Sequence, residues 1–168
     1  MSDDKMKNIF EQQRQQLTST SSGQDDADEV LQVIGFVVGN EEFSVPILNV
    51  IEIVKPIEYT RVPGTPPYVL GVFNLRGNVY PLINLRLKFG MQAIKQDKDT
   101  RYLVIRQNDD IAGFVIDKLT AAITLPQSVI DPVPETLANQ AGLISGVGKQ
   151  EDHLITILKI DALLKRDF

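Results

Sequence analysis

Few side chains in this sequence are placed for covalent chemistry. The single histidine, His153, has no second metal ligand or nucleophile at motif spacing, so we expect it on the surface in the turn "KQEDH". The chain has no cysteine, and none of its serines lies in a Gly-x-Ser-x-Gly setting. The runs "GNEE" and "QNDD" are too short for calcium loops, and "GLISGVG" lacks the Lys-Ser/Thr of a phosphate-binding loop. The sequence therefore predicts no enzyme activity, no cofactor and no metal.

Three charged residues nevertheless lie within apolar segments. Glu52 in "VIEIVK" is either the outward residue of an alternating strand or part of a site, and Asp117 in "GFVID" is expected at a strand end or turn. Arg76 in "NLRG" could aim five donors at partner carboxylates or carbonyls, or it could bond carbonyls of its own loop. A small enzyme that uses Glu52 or Asp117 as a general base is an alternative, although no partner group accompanies either residue.

The amino-acid composition limits the kinds of partner that we expect this chain to bind. The 168 residues are 43% hydrophobic, which is enough for a core, and the net charge is −5. Residues 1–30 contain seven acids and three bases, which leaves 15 acids and 14 bases in the remainder. Nucleic-acid binding is not expected without a basic surplus. No apolar run approaches the roughly 18 residues of a membrane span, and no signal peptide is evident, so we expect a soluble, cytoplasmic protein without direct membrane insertion.

The elements that would position these residues are mainly strands. The polar segment 18–29 predicts a linker, preceded by an amphipathic pattern of the apolar residues Met6, Ile9, Phe10 and Leu17, so residues 1–30 are predicted to form a flexible acidic tail. From Leu31 onward, short Val- and Ile-rich runs predict hairpins across Gly39-Asn40 and across Asn108 to Asp110. Short helices are predicted after Asn84, ending at Gly90, and in the tail from Asp161.

The chain also contains an internal repeat. A shift of 75 residues places "GVFNLRGNVYPLINLRLKF" over "GVGKQEDHLITILKIDALL" without a gap, and the two hairpins superpose at a shift of about 67. Two small barrels, at 31–97 and 98–168, explain this plan best, although strands could cross between them. The counterpart of "NLRG" is "KQED", which has no arginine, so the shared scaffold does not require Arg76 and a functional contact is favoured.

Four segments resemble the CheW-type coupling proteins of bacterial chemotaxis: "EEFSVPILNVIEI", "VPGTPPYVLGVFNLRG", "VYPLINLRLKFG" and "GFVID", in family order and spacing. The resemblance covers about residues 31–165. It implies a mainly β fold of two five-stranded SH3-like barrels packed together. It also implies a non-enzymatic adaptor that joins the cytoplasmic tip of methyl-accepting receptors to the chemotaxis histidine kinase, through the kinase's like-folded regulatory domain. A related adaptor of another chemosensory pathway, such as twitching motility, is the alternative.

The same resemblance implies roles for individual residues. It assigns kinase binding to Val50, Glu52 and Gly71, and receptor binding to Asn74, Leu75, Arg76, Gly77 and Ala122. Gly71 is expected to permit a close backbone approach. The chain departs from the family where Ala122 replaces a bulkier aliphatic residue and where Asn84 replaces the usual aspartate, which keeps a helix cap but removes a charge. Recruitment of the cytoplasmic adaptor to receptor arrays is implied as well.

Overall fold

The computed structural model describes residues 29–133 and 142–165. Most of the predicted acidic tail, with its amphipathic segment, and the last three residues of the chain lie outside the described residues. Within these ranges the chain forms short strands and two short helices: β1 (Val30–Val38), β2 (Glu41–Pro46), β3 (Val50–Val54), β4 (Val69–Leu75), β5 (Asn78–Asn84), α1 (Leu85–Lys88), β6 (Arg101–Gln107), β7 (Asp110–Ile116), β8 (Lys118–Pro126), β9 (Ile130–Asp131), β10 (Ile144–Gln150), β11 (His153–Leu158) and α2 (Ile160–Leu164).

The strands form two sheets, in the orders β3-β6-β7-β5-β4 and β8-β1-β2-β11-β10-β9. Each sheet joins two antiparallel hairpins through one parallel pair, β5 with β7 and β2 with β11. The chain beyond an edge strand then pairs with the opposite edge: Thr60, after β3, bridges Val72 in β4, and β9, after β8, pairs with β10. Each sheet therefore closes as five strands plus a short closing segment, and the mainly β, two-barrel prediction is confirmed.

The internal repeat is also confirmed. The shift of 75 residues carries β4, the first six residues of β5 and the first residue of α1 onto β10, β11 and the first residue of α2. Both hairpins have a register irregularity near the start, between Val69 and Gly71 in one and between Ile144 and Gly146 in the other. The predicted turns at Gly39-Asn40 and after Asn108 join β1 to β2 and β6 to β7, whereas α2 begins at Ile160, one residue before the predicted start.

The two barrels do not coincide with the ranges 31–97 and 98–168. Strands β3 to β7 follow one another along the chain and make the continuous barrel, whereas β1 and β2 join β8 to β11 in the split barrel. The chain crosses from one barrel to the other after β2 and again after β7, as the sequence interpretation allowed. The physical reason is that β3 pairs with β6 and β8 pairs with β1, so each repeat contributes one strand to the other's hairpin.

Apolar side chains fill three regions. The largest cluster draws on both sheets and includes Ile34, Phe36, Val50, Leu103 and Phe114, so it packs the barrels against each other. Two smaller clusters fill the individual sheets, one around Phe73 and Tyr102 and the other around Val33 and Leu125. Successive strand residues such as Val33 and Ile34 face different clusters, as expected for strands buried on both faces. In the described ranges, no helix has the length and apolar character needed to cross a bilayer.

Candidate protein-binding site

An exposed arginine forms an ion pair with a carboxylate at the surface, Arg76 with Glu52. Arg76 donates from Nε to Glu52 Oε1 at 3.1 Å and from Nη2 to Oε2 at 3.0 Å, a two-pronged contact. The Arg76 side chain is 76% exposed, whereas that of Glu52 is 17% exposed. The hydrogen bond and the charge of Glu52 raise the pKa of Arg76, so the guanidinium stays charged. Arg76 thus exposes a cation to solvent, and its hydrogen bonds to the less exposed Glu52 carboxylate hold that cation in place.

The hairpin tip positions this arginine. Arg76 and Gly77 are the two loop residues between β4 and β5, and both have positive φ, 54° and 88°. This is the conformation of a two-residue type I′ turn, which matches the twist of the strands. Asn74 Oδ1 accepts the Gly77 N–H at 3.1 Å and holds the loop. The counterpart of Arg76 in the repeat is Glu151, with φ 57°, so the turn needs no arginine.

The seam of the continuous barrel brings Glu52 to this tip. β3 and β4 are the two edges of the five-stranded sheet, and the Thr60–Val72 bridge closes them, with both N–H···O distances at 2.8 Å. Glu52 on β3 consequently lies beside the β4–β5 hairpin. The family resemblance implies kinase binding for Glu52 and receptor binding for Arg76, and the structure joins these two residues in one ion pair, which we call the seam pair.

Three other predicted residues are not exposed in the same way. Val50 is fully buried in the cluster between the barrels, and Gly71 is buried in β4. A Cβ at Gly71 would lie 2.1 Å from the Thr60 carbonyl oxygen, which confirms the close backbone approach expected there. Leu75 is half-buried against the cluster around Phe73. Val50 and Gly71 therefore offer no side chain to a partner and can act on binding only through the fold.

Ala122 does not belong to the barrel that contains the hairpin tip. It is on β8 of the split barrel, opposite Ile34 of β1, and it packs half-buried against the cluster between the barrels. The predicted receptor-binding residues are thus distributed over both barrels. A partner that contacts all of them must reach from the hairpin tip of one barrel to β8 of the other.

A second arginine–carboxylate pair was not predicted. Arg86 on α1 binds Asp117, with Nη2 at 2.7 Å from Oδ2 and Nε at 3.0 Å from each oxygen, and this hydrogen bonding raises the pKa of Arg86. Asp117 does follow a strand end, as expected. The sequence does contain a signal for this pair, because the repeat shift of 75 residues aligns Arg86 with Asp161. Arg86 is therefore, like Arg76, an arginine that only the first copy of the repeat has at this position.

The geometry gives no support to a carboxylate-dependent enzyme. Both candidate bases are engaged by arginines, Glu52 by Arg76 and Asp117 by Arg86, so neither presents a free carboxylate to a substrate. His153 is exposed as predicted and contacts the Glu42 carboxylate. Among the described residues, no group of three or more His, Cys, Asp or Glu side chains could hold a metal ion. The fold defines a class, a module of two small β-barrels, and the exposed Arg76 makes the hairpin tip a candidate contact for a protein partner.

Comparison with known proteins agrees with this class. The family model of the CheW-like domain matches residues 32–168. The chain is 63% identical to the chemotaxis protein CheW of Helicobacter pylori over 97% of this chain and 98% of that protein, and 34% identical to CheW of Klebsiella aerogenes over 79% and 80%. It superposes on the crystal structure of the scaffolding protein TtCheW from Thermoanaerobacter tengcongensis with a TM-score of 0.77, at 27% identity, over 83% of this chain and 95% of that chain.

The chain therefore belongs to the CheW-like family. It is a non-enzymatic adaptor of chemotaxis signalling, which confirms the resemblance noted in the sequence and the prediction that the chain is not an enzyme.

Proposed function

We propose that this adaptor couples the cytoplasmic tip of methyl-accepting receptors to the chemotaxis histidine kinase, by binding the kinase's CheW-like regulatory domain. It would work in the cytoplasm and be recruited to membrane-associated receptor arrays. The observation that carries the proposal is the seam pair, because an exposed arginine held by a partly buried carboxylate is pre-organised for a protein partner. Arginine is also enriched among the residues that dominate binding energy at interfaces.

The seam pair supports a division of labour between its two members. Arg76, with Asn74 and Gly77 at the exposed hairpin tip, would contact the receptor, and Leu75 would hold the tip against the barrel core. Glu52 would serve kinase binding from the less exposed side of the seam, while also aiming the guanidinium. Val50 and Gly71 would maintain the barrel wall that the kinase contacts. Ala122 would extend the receptor surface onto the split barrel.

The coupling proposal is tested by sedimentation. Purified chain, receptor cytoplasmic fragments and kinase are mixed pairwise and together, and the pelleted complexes are quantified. We expect the chain to bind each partner separately and to bring both into one sedimenting complex. If the chain fails to bind either partner, the proposal is wrong. Kinase that reaches the pellet equally well without the chain would also contradict it.

Arg76→Ala tests the site, and Glu151→Ala is its matched control, because both positions have left-handed backbone at equivalent hairpin tips. We expect Arg76→Ala to weaken receptor binding about 5- to 30-fold, the range that 1–2 kcal/mol produces. The melting temperature should stay nearly unchanged, because exposed ion pairs contribute little to stability. Glu151→Ala should leave both properties unchanged. A large fall in the melting temperature of Arg76→Ala would make the arginine structural.

A further inference from the structure

A carboxylate lies at the point where the chain leaves the continuous barrel for the split barrel. Asp117 is the single residue between β7 and β8. Its N–H donates to the Val37 carbonyl at 3.0 Å, and its Oδ2 accepts the Gly39 N–H at 2.8 Å. Val37 is the second-last residue of β1 and Gly39 begins the β1–β2 turn, so the main chain and the side chain of Asp117 both bind the same hairpin of the split barrel.

Arg86 connects the same carboxylate to the continuous barrel. It lies on α1, directly after β5, and it contacts both oxygens of Asp117, as described above. Each of the two side chains is only 19% exposed, so solvent screens this pair less than it screens the seam pair. One carboxylate consequently links α1, the exit of β7 and the β1–β2 turn.

Apolar side chains also join the segment after β5 to the β1–β2 hairpin. Phe89, at the end of α1, packs on Phe43 of β2 with ring centroids 4.9 Å apart. Met91 covers Gly39 so closely that a Cβ there would lie 2.8 Å from its sulfur atom. The chain after β5 is thus held against the β1–β2 hairpin by the Asp117 carboxylate and by the apolar contacts of Phe89 and Met91.

The second copy of the repeat lacks this arrangement. The counterpart of Arg86 is Asp161, which is exposed, and the N-terminus of α2 has no side-chain cap from Lys159. The helix after the hairpin therefore forms without a cation at this position. Arg86, like Arg76, is therefore a residue that the shared scaffold of the two copies does not require.

We propose that Asp117 is a positioning residue that fixes the orientation of the two barrels. By doing so it sets the distance between the hairpin tip around Arg76 on the continuous barrel and Ala122 on the split barrel. The inference about orientation rests on the contacts of Asp117 and does not depend on the proposed function. Its consequence for receptor binding rests on the proposed function, in which one receptor contacts both places.

Orientation can be measured directly, because the chain has no cysteine. Exposed Asp109 on the continuous barrel and exposed Ser145 on the split barrel are replaced by cysteine and spin-labelled, and the distance between labels is measured by pulsed electron resonance. Asp117→Asn keeps an acceptor for Gly39 but loses the two-oxygen contact with Arg86. Arg86→Gln breaks the same pair and leaves the Asp117–Gly39 bond. His153→Ala is the control, because its contact with Glu42 lies within the split barrel.

The expected result is a narrow distance distribution in the parent and in His153→Ala, and a broadened or shifted one in Asp117→Asn and Arg86→Gln. Circular dichroism shows whether each variant is folded, and if Asp117→Asn does not fold, Arg86→Gln decides. Distributions that match the parent in the folded variants would overturn the proposal. The exchange R86D with D117R restores an ion pair but offers Gly39 no acceptor, so we expect it to stay broadened. A narrow distribution in the exchange would also overturn it.

Receptor binding separates this inference from the proposed function. Asp117→Asn should weaken receptor binding about 5- to 30-fold together with the change in distance, whereas Arg76→Ala should weaken it with the parent distance unchanged. If the distance changes and receptor binding does not, Asp117 has no positioning role in binding. If the parent itself does not bind receptor, the proposed function fails and the distance measurement still decides the orientation.

Discussion

Gly71→Ala tests how the continuous barrel closes. A Cβ at this position would lie 2.1 Å from the Thr60 carbonyl oxygen, 2.7 Å from its carbonyl carbon and 2.9 Å from the Arg61 Cα. All three atoms are backbone, so no side-chain rotation relieves the clash. The two Thr60–Val72 hydrogen bonds that close the seam must lengthen or break to make room.

The magnitude follows from these contacts. Overpacking costs about 1–3 kcal/mol, and each lost hydrogen bond costs about 1 kcal/mol, so we expect Gly71→Ala to lower the free energy of unfolding by about 3–5 kcal/mol. At about 2–4 °C per kcal/mol for a chain of this size, that corresponds to a melting temperature lower by about 6–20 °C. The matched control is Gly146→Ala, where the Cβ would lie 3.1 Å from the Asp131 carbonyl oxygen and 3.1 Å from Ile130 Cγ2. A displacement of a few tenths of an ångström accommodates it, and we expect a loss of about 1 kcal/mol.

Thermal unfolding followed by circular dichroism measures both variants. Gly71→Ala must be clearly less stable than Gly146→Ala, and equal melting temperatures would refute the role of close approach at the seam. Because Gly71 is buried, kinase binding should be lost in proportion to folded protein. A variant that keeps the parent melting temperature and loses kinase binding would refute the assignment of Gly71 to the fold.

Two further predictions concern Asn84 and Tyr102. Asn84 Oδ1 accepts the Leu87 N–H at 3.1 Å, so Asn84→Ala should lower the free energy of unfolding by about 1 kcal/mol in urea titrations, while Asn84→Asp, which can still cap, should cost less. Burial raises the pKa of Tyr102, which donates to the Ile57 carbonyl at 3.2 Å. The folded chain thus holds this proton more tightly than the unfolded chain, and the stability it contributes below about pH 10 is lost as pH rises further. Tyr102→Phe should cost about 1 kcal/mol at neutral pH and reduce the alkaline loss, and an unchanged alkaline profile would contradict this.

Local elements of the fold could be predicted because their signals are local. Gly39-Asn40 and the Asn108 turn favour tight hairpins, and Asn84 followed by Gly90 marks a short helix. The pairing of β3 with β6 could not be predicted, because it joins Val50 to Ile105, and no local pattern specifies which distant strand completes a sheet. For this reason the sequence predicts barrels in successive halves of the chain, whereas the strands of the continuous barrel follow β2 and precede β8 of the split barrel along the chain.

The site shows the same limit. Strict alternation would place Val50 and Glu52 on one face of β3, and the family resemblance implies kinase binding for both. A register irregularity between them turns Val50 into the core and leaves Glu52 at the surface. The contact of Glu52 with Arg76 depends on closure of the seam, which requires the whole barrel. Motif resemblance could identify these residues without showing that they touch.

Comparison of the two repeat copies explains why the charged pairs lie where they do. The two hairpins have strand bounds that match to within one residue, a register irregularity at the same place and a left-handed first turn residue, so the scaffold forms with either sequence. Only the first copy has arginines at the tip and on the helix, where the second has Glu151 and Asp161. Each arginine binds a carboxylate from outside its own hairpin, Glu52 from β3 and Asp117 from the crossing after β7. The repeat folds with either sequence, so we propose that both pairs serve binding: Arg76 would present a cation to a partner, and the Arg86–Asp117 pair would hold the barrels in the orientation that this partner contacts.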